Sequence, residues 1–167
     1  AAILRRLAYH DGSTAVALAM HQHLVAAQVF NHRNGRPAPL LPRVAKEQIV
    51  LVSTGARDWL ESNGQVKAVE GGFRVSARKA FASGSPAGAV AVTSAPYDHP
   101  VDGPQVLHFG VPLNAEGVSL DDDWYVHGMR ATGSRTIIME NVFVPESSIS
   151  LTRSRIGFAA IFNVVIG

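Results

Sequence analysis

Apolar positions change their spacing along this chain. In the opening segment Ile3 and Leu7 stand four apart with Leu4 and Ala8 beside them, an apolar stripe of helical period. Asp11-Gly12-Ser13 interrupts it, and a short side-chain oxygen there can accept the free N–H groups of a following turn. From Thr14 to about His32, Val16, Met20, Leu24 and Ala27 recur at helical spacing, and Asn34-Gly35 ends the run. Pro37, Pro39 and Pro42 mark a connector, with a short helix predicted from Leu40 to Gln48.

From Ile49 to Val144 the period becomes two. Ile49-Val50-Leu51-Val52 is a continuous aliphatic run, as expected of a strand buried on both faces. Val66–Glu70 and Phe73–Ala77 flank Gly71-Gly72, which predicts a hairpin whose turn uses the positive φ values open to glycine. Further strands are predicted at Ala89–Ser94, Val106–Val111 and Thr136–Val144, with Pro86, Pro96, Pro100, Pro104 and Pro112 between them. About four to six short strands so spaced suggest a barrel or sandwich. After Pro145 the pattern predicts a return to helix. The fold class expected is therefore α+β: a helical N-terminal segment, a mainly antiparallel β-barrel, and the start of a further helix.

Composition narrows the chemistry. The 167 residues, 47% apolar, suffice for one ordinary domain and a fragment of another. Fifteen Lys and Arg against thirteen Asp and Glu leave +2, too little for a basic nucleic-acid face. With no cysteine, disulfides, thiolate metal sites and a cysteine nucleophile are excluded. The apolar stretch Ile156–Ile166 is interrupted by Asn163 and is far shorter than the ~18 residues of a membrane span. No basic, apolar-cored leader opens the chain. Both ends are apolar and uncapped, so the chain is expected to be part of a longer one, with Ile156–Ile166 packed against something rather than free.

Few residues form a recognisable reactive constellation. His21 and His23, two apart on a predicted helix, point about 200° apart and cannot share one ion. The remaining histidines have no ligand at metal-like spacing, and no metal site is expected. Asp121-Asp122-Asp123 lacks the alternate spacing and Gly turn of a calcium loop and reads as a solvated loop. Ser53-Thr54-Gly55 and Ser83-Gly84-Ser85 can bring backbone N–H groups close to a ligand, but no phosphate-loop Lys follows them. Gly-x-Gly-x-x-Gly and Gly-x-Ser-x-Gly are both missing. The Gly-rich stretch His127–Arg135 feeds an amphipathic strand that Pro145 closes.

Three ordered blocks carry a family resemblance. Trp124–Ser134 followed by Glu140-Asn141-Val142-Phe143-Val144-Pro145 resembles the end of the middle β-domain in acyl-CoA dehydrogenases. Gly71-Gly72-Phe73-Arg74-Val75-Ser76-Ala77-Arg78-Lys79 is similar to the run that leads into that family's flavin strand. Asp11 and the helix bearing Met20-His21 resemble the last helices of its N-terminal domain. The resemblance implies three parts: residues 1–47 ending a helical domain, 48–147 forming the β-barrel domain, and 148–167 beginning a C-terminal helical domain.

It also implies a flavin site. Val52, Ser53 and Thr54 match a strand end that cradles the ring, and Phe81, Ala82 and Ser83 match the family's Trp-x-Thr/Ser segment. Ser53, Ser83 and nearby amides would donate to the ring and Phe81 would cover it. Two departures stand out: Gly55-Ala56-Arg57-Asp58-Trp59 replaces the family's Gly-rich loop, and Phe81 replaces its Trp. Phe-Ala-Ser-Gly is closer to the branch containing reduced-flavin-dependent hydroxylases. The activity implied is FAD-dependent α,β-dehydrogenation of an acyl thioester. The alternatives are a monooxygenase using reduced FMN or FAD from a reductase, and a non-catalytic β-domain. No catalytic residue is assigned, because the family's general base comes from a C-terminal bundle that nothing here matches. A bacterial-type, cytoplasmic homo-oligomer acting on a small molecule, with neither nucleic acid nor membrane as partner, completes the expectation.

Overall fold

The computed structural model describes residues 2–55, 58 and 61–155. Three helices come first: α1 (Ala2–His10), α2 (Gly12–Arg33) and α3 (Leu40–Glu47). Asp11 caps α2, its carboxylate accepting the Ser13 N–H at 2.9 Å. The buried side chains of α2 are Ala15, His21 and Leu24. Of the stripe read from the sequence, Leu24 is buried but Val16 is exposed. The inward face is set by what α2 meets: His21 Nδ1 accepts the Leu51 N–H at 3.0 Å, so the helix turns this ring toward the first strand.

Among the described residues eight strands follow: β1 (Leu51–Ser53), β2 (Gln65–Val69), β3 (Gly72–Ala82), β4 (Val90–His99), β5 (Gly103–Pro112), β6 (Val118–Leu120), β7 (Arg135–Pro145) and β8 (Ile149–Ser154). They sort into two four-stranded sheets, β1-β4-β5-β8 and β2-β3-β7-β6. Among the described residues every pairing is antiparallel except β1 with β4. The α+β class and mainly antiparallel β-region expected from the sequence are present, arranged as two sheets rather than one closed barrel. Both sheets supply one core: Val52, Ala91, Leu107 and Phe109 from the first, Val75, Ile137, Met139 and Val142 from the second. Each large side chain so buried stabilises by roughly 1.5–3 kcal/mol. A smaller cluster of Leu24, Leu51 and Val90, flanked by Val25, Leu40 and Val44, seats α2 and α3 on β1 and β4.

Two local expectations are corrected. The chain does not return to helix directly after Pro145: Glu146–Ser148 is one 3₁₀ turn and Ile149–Ser154 is β8, completing the first sheet. Its inward residues are Ile149, Leu151 and Arg153, and the arginine hides the alternation that would have marked a strand. The hairpin turn is Glu70-Gly71, because Val69 already pairs with Gly72. Gly71 supplies the positive φ (+74°), whereas Gly72 is needed for space, since a Cβ there would lie 2.3 Å from the Val144 carbonyl oxygen. The segment Ile156–Ile166 lies outside the described residues.

Candidate functional site

A bulge in β3 produces the most conspicuous surface feature. Lys79 pairs with Ile137 but Ala82 pairs with Arg135, so β3 carries one residue more than β7. Val75, Ala77 and Lys79 face inward before it, and Ala82 faces inward after it. The extra residue flips the alternation and turns Phe81 outward at φ +60°, 68% exposed. A bulky residue in the left-handed region costs about 1–2 kcal/mol, so the surrounding strands hold it there against its own preference. Trp124 stands edge-on to Phe81, ring centroids 6.2 Å apart.

Three hydroxyls line up behind Phe81. Ser83 Oγ lies 2.9 Å from Ser134 Oγ, which lies 2.7 Å from Thr132 Oγ1. Thr132 Oγ1 donates to the Met129 carbonyl at 2.9 Å. The Gly-rich loop is docked on this strand end by the Gly84 N–H to the Thr132 carbonyl at 2.7 Å and by Ser85 Oγ to the Gly133 carbonyl at 3.2 Å.

The end of β1 reaches the same bulge from the other sheet. A Cβ on Gly55 would lie 3.9 Å from the Ala80 carbonyl oxygen, so the two segments singled out in the sequence are neighbours. Beneath them is a buried polar cluster. Lys79, 1% exposed, forms an ion pair with Asp58 and donates to the carbonyls of Asn63 (2.8 Å) and Ser94 (2.6 Å). The Asp58 carboxylate also accepts from Thr54 Oγ1, from Thr93 Oγ1 at 2.8 Å and from the Ser94 N–H at 3.1 Å. Burial pushes the Lys79 ammonium below its ordinary range, and Asp58 opposes that shift. On β5, burial and then the neighbouring Arg153 bring His108 down to about 4.

The six residues named for the site fall into distinct places. Phe81 is exposed and Ser83 half-buried at the bulge, while Val52 and Ala82 are wholly buried in the wall behind it. Ser53 is buried, and Thr54 is buried with its hydroxyl turned inward to Asp58. Asp58, Lys79, Ser134 and Thr132 were not selected from the sequence. Lys79 left a signal there, standing on the inward face of an alternating strand where only a partnered charge is tolerated. A cavity of about 410 Å³ opens nearby, lined by Trp124, Tyr125, Val126, His127 and Arg130.

The acidic triplet is engaged residue by residue. Asp121 pairs with Arg78, Asp122 with Arg135 and the Tyr125 hydroxyl, and Asp123 with Thr136. Among the described residues no group of three or more His, Asp or Glu side chains is placed to hold a metal ion. No helix among them is long and apolar enough to cross a membrane.

Three N-terminal helices and two mainly antiparallel sheets, with a bulged, aromatic-bearing strand, make an acyl-CoA dehydrogenase-like fold, of the kind found in flavin-dependent monooxygenases. The solved structure of KijD3 in complex with FMN and a dTDP-amino sugar superposes with a TM-score of 0.80 at 26% identity, covering 90% of this chain and 38% of that one. The oxygenase subunit HsaA of a flavin-dependent monooxygenase from Rhodococcus jostii (strain RHA1) is 40% identical over 85 residues, which is 49% of this chain and 20% of that protein. The probable FMNH2-dependent monooxygenase SfnC of Pseudomonas putida is 27% identical over 150 residues, 90% of this chain and 37% of that protein. The chain thus spans well under half the length of these relatives. No family model matches it.

Proposed function

We propose that this chain is the flavin-facing part of a monooxygenase that uses reduced FMN or FAD delivered by a separate reductase. One observation carries the reading: the end of β1 and the β3 bulge meet at Gly55 and Ala80, 25 residues apart in sequence, and present Phe81 outward. That arrangement fits a planar ring, with an aromatic face from Phe81, backbone groups from residues 52–54, and hydroxyls beside Ser83. Reduced flavin, when bound, supplies the two electrons that send one atom of O2 to substrate and the other to water. The chain's own contribution is to hold the ring at Phe81, orient it with Ser53 and Ser83, and wall it off with Val52 and Ala82.

HsaA and SfnC are named as monooxygenases, which supports monooxygenation over dehydrogenation of an acyl thioester. The proposed organisation keeps residues 1–47 as the end of a helical domain and the β-domain from residue 48. It moves that domain's end from 147 to Ser154, because β8 belongs to the first sheet. A cytoplasmic homo-oligomer acting on a small organic substrate is the proposed setting. Rapid mixing distinguishes the two chemistries. Bound reduced flavin is expected to reoxidise with O2 at a rate the protein changes, while acyl thioesters leave bound oxidised FAD unbleached. Bleaching of bound FAD by an acyl thioester would overturn the monooxygenase reading.

A further inference from the structure

We infer that Ser134 and Thr132 make this site selective for reduced over oxidised flavin, by fixing which way the Ser83 hydroxyl points. The inference rests on the flavin reading above and deepens it.

The hydroxyl hydrogens fix the direction of the relay. Each hydroxyl has one to give. Thr132 Oγ1 lies 2.9 Å from the Met129 carbonyl, which can only accept, so the threonine hydrogen is used there. The 2.7 Å contact between Thr132 and Ser134 must then be donated by Ser134. With that hydrogen used, the 2.9 Å contact between Ser134 and Ser83 must be donated by Ser83. The relay runs one way, Ser83 to Ser134 to Thr132 to Met129, and ends on backbone. Thr132 and Ser134 are 3% and 5% exposed, so water does not compete to reverse it.

Ser83 is the half-buried outer end of this chain, beside Phe81. Its hydrogen is directed inward, so the oxygen offers the site lone pairs rather than a donor. The two redox states of a flavin differ in this respect. The reduced ring carries an N–H on its central ring where the oxidised ring has a bare, accepting nitrogen. An accepting Ser83 complements the first and repels the second. The family resemblance implies a Ser83 that donates to the ring; held by this relay, it accepts instead.

The test measures dissociation constants of the intact protein for reduced and oxidised FMN, under anaerobic and aerobic conditions, in two relay variants. Ser134→Ala removes the acceptor that holds the Ser83 hydrogen inward. Thr132→Val is nearly isosteric, leaves Met129 O its bond from the Thr132 N–H at 3.1 Å, and frees Ser134 to donate back to Ser83. Each variant is expected to lower the ratio of oxidised to reduced dissociation constants by roughly 3–10-fold, the worth of one hydrogen bond. A tenfold change moves the midpoint potential of the bound flavin down by about 30 mV, readable by redox titration without turnover. A merely structural role would weaken both forms together and leave the ratio and the potential in place. An unchanged ratio in both folded variants, with tight binding, overturns this inference alone. A parent protein that binds neither redox form overturns the flavin reading itself, and this inference with it.

Discussion

At the scale of single residues, the buried Asp58–Lys79 pair is the feature whose disruption has the largest expected effect. It joins the segment after β1 to the strand that carries Phe81, so it sets the spacing of the two halves of the site. Lys79→Met leaves the Asp58 carboxylate buried without its cation, expected to cost about 3–5 kcal/mol in urea unfolding. The double variant Asp58→Asn with Lys79→Met should recover a large part of that loss. A double variant as unstable as the sum of the singles would show that the two groups do not act as a pair. His108 supplies a second expectation. Its folded-state value of about 4 lies below the ordinary 6.5. The unfolded chain therefore takes up a proton as pH falls through 6.5 while the folded chain does not until about 4. The contribution is full above 6.5 and is lost toward pH 4, by up to about 1.4 kcal/mol per pH unit. His108→Gln should flatten the stability–pH curve in that window, and an unflattened curve would exclude His108 as its source.

Among the elements, α2 depends on one polar contact for its docking on β1. His21 Nδ1 accepts the Leu51 N–H, which requires the ring to be neutral there, and burial lowers its pKa accordingly. His21→Leu preserves bulk but leaves that buried N–H without a partner, an expected loss of about 1–3 kcal/mol. Chemical denaturation checks it; a change below about 0.5 kcal/mol would mean that packing alone seats the helix. The elements were unevenly legible in the sequence, for physical reasons. The start of α2 and most of the long strands β3, β4, β5 and β7 are written in a cap and in period-two runs, because those signals are local. β6 is three residues long, and β8 points Arg153 inward, so neither carries an apolar alternation to read. The site divides the same way. Phe81 and Ser83 lie in a motif, and so do Thr132, Ser134 and Lys79, but the contacts of Ser134 with Ser83 and of Lys79 with Asp58 are made only by a bulge and by sheet packing.

Across the whole molecule, two sheets enclose one core and the helices close the edge at β1. The rim where β1, the β3 bulge and the Gly-rich loop converge is the place where strain, buried charge and outward aromatic surface coincide. That convergence, rather than any single motif, is the basis for the flavin site proposed here. The measurement that addresses it most directly is an anaerobic crystal structure of the intact protein with reduced FMN. The account predicts the ring packed on Phe81, its polar edge on the backbone of residues 52–54, and Ser83 Oγ accepting from a ring N–H. Reduced flavin bound elsewhere, with Phe81 and Ser83 untouched, would contradict it.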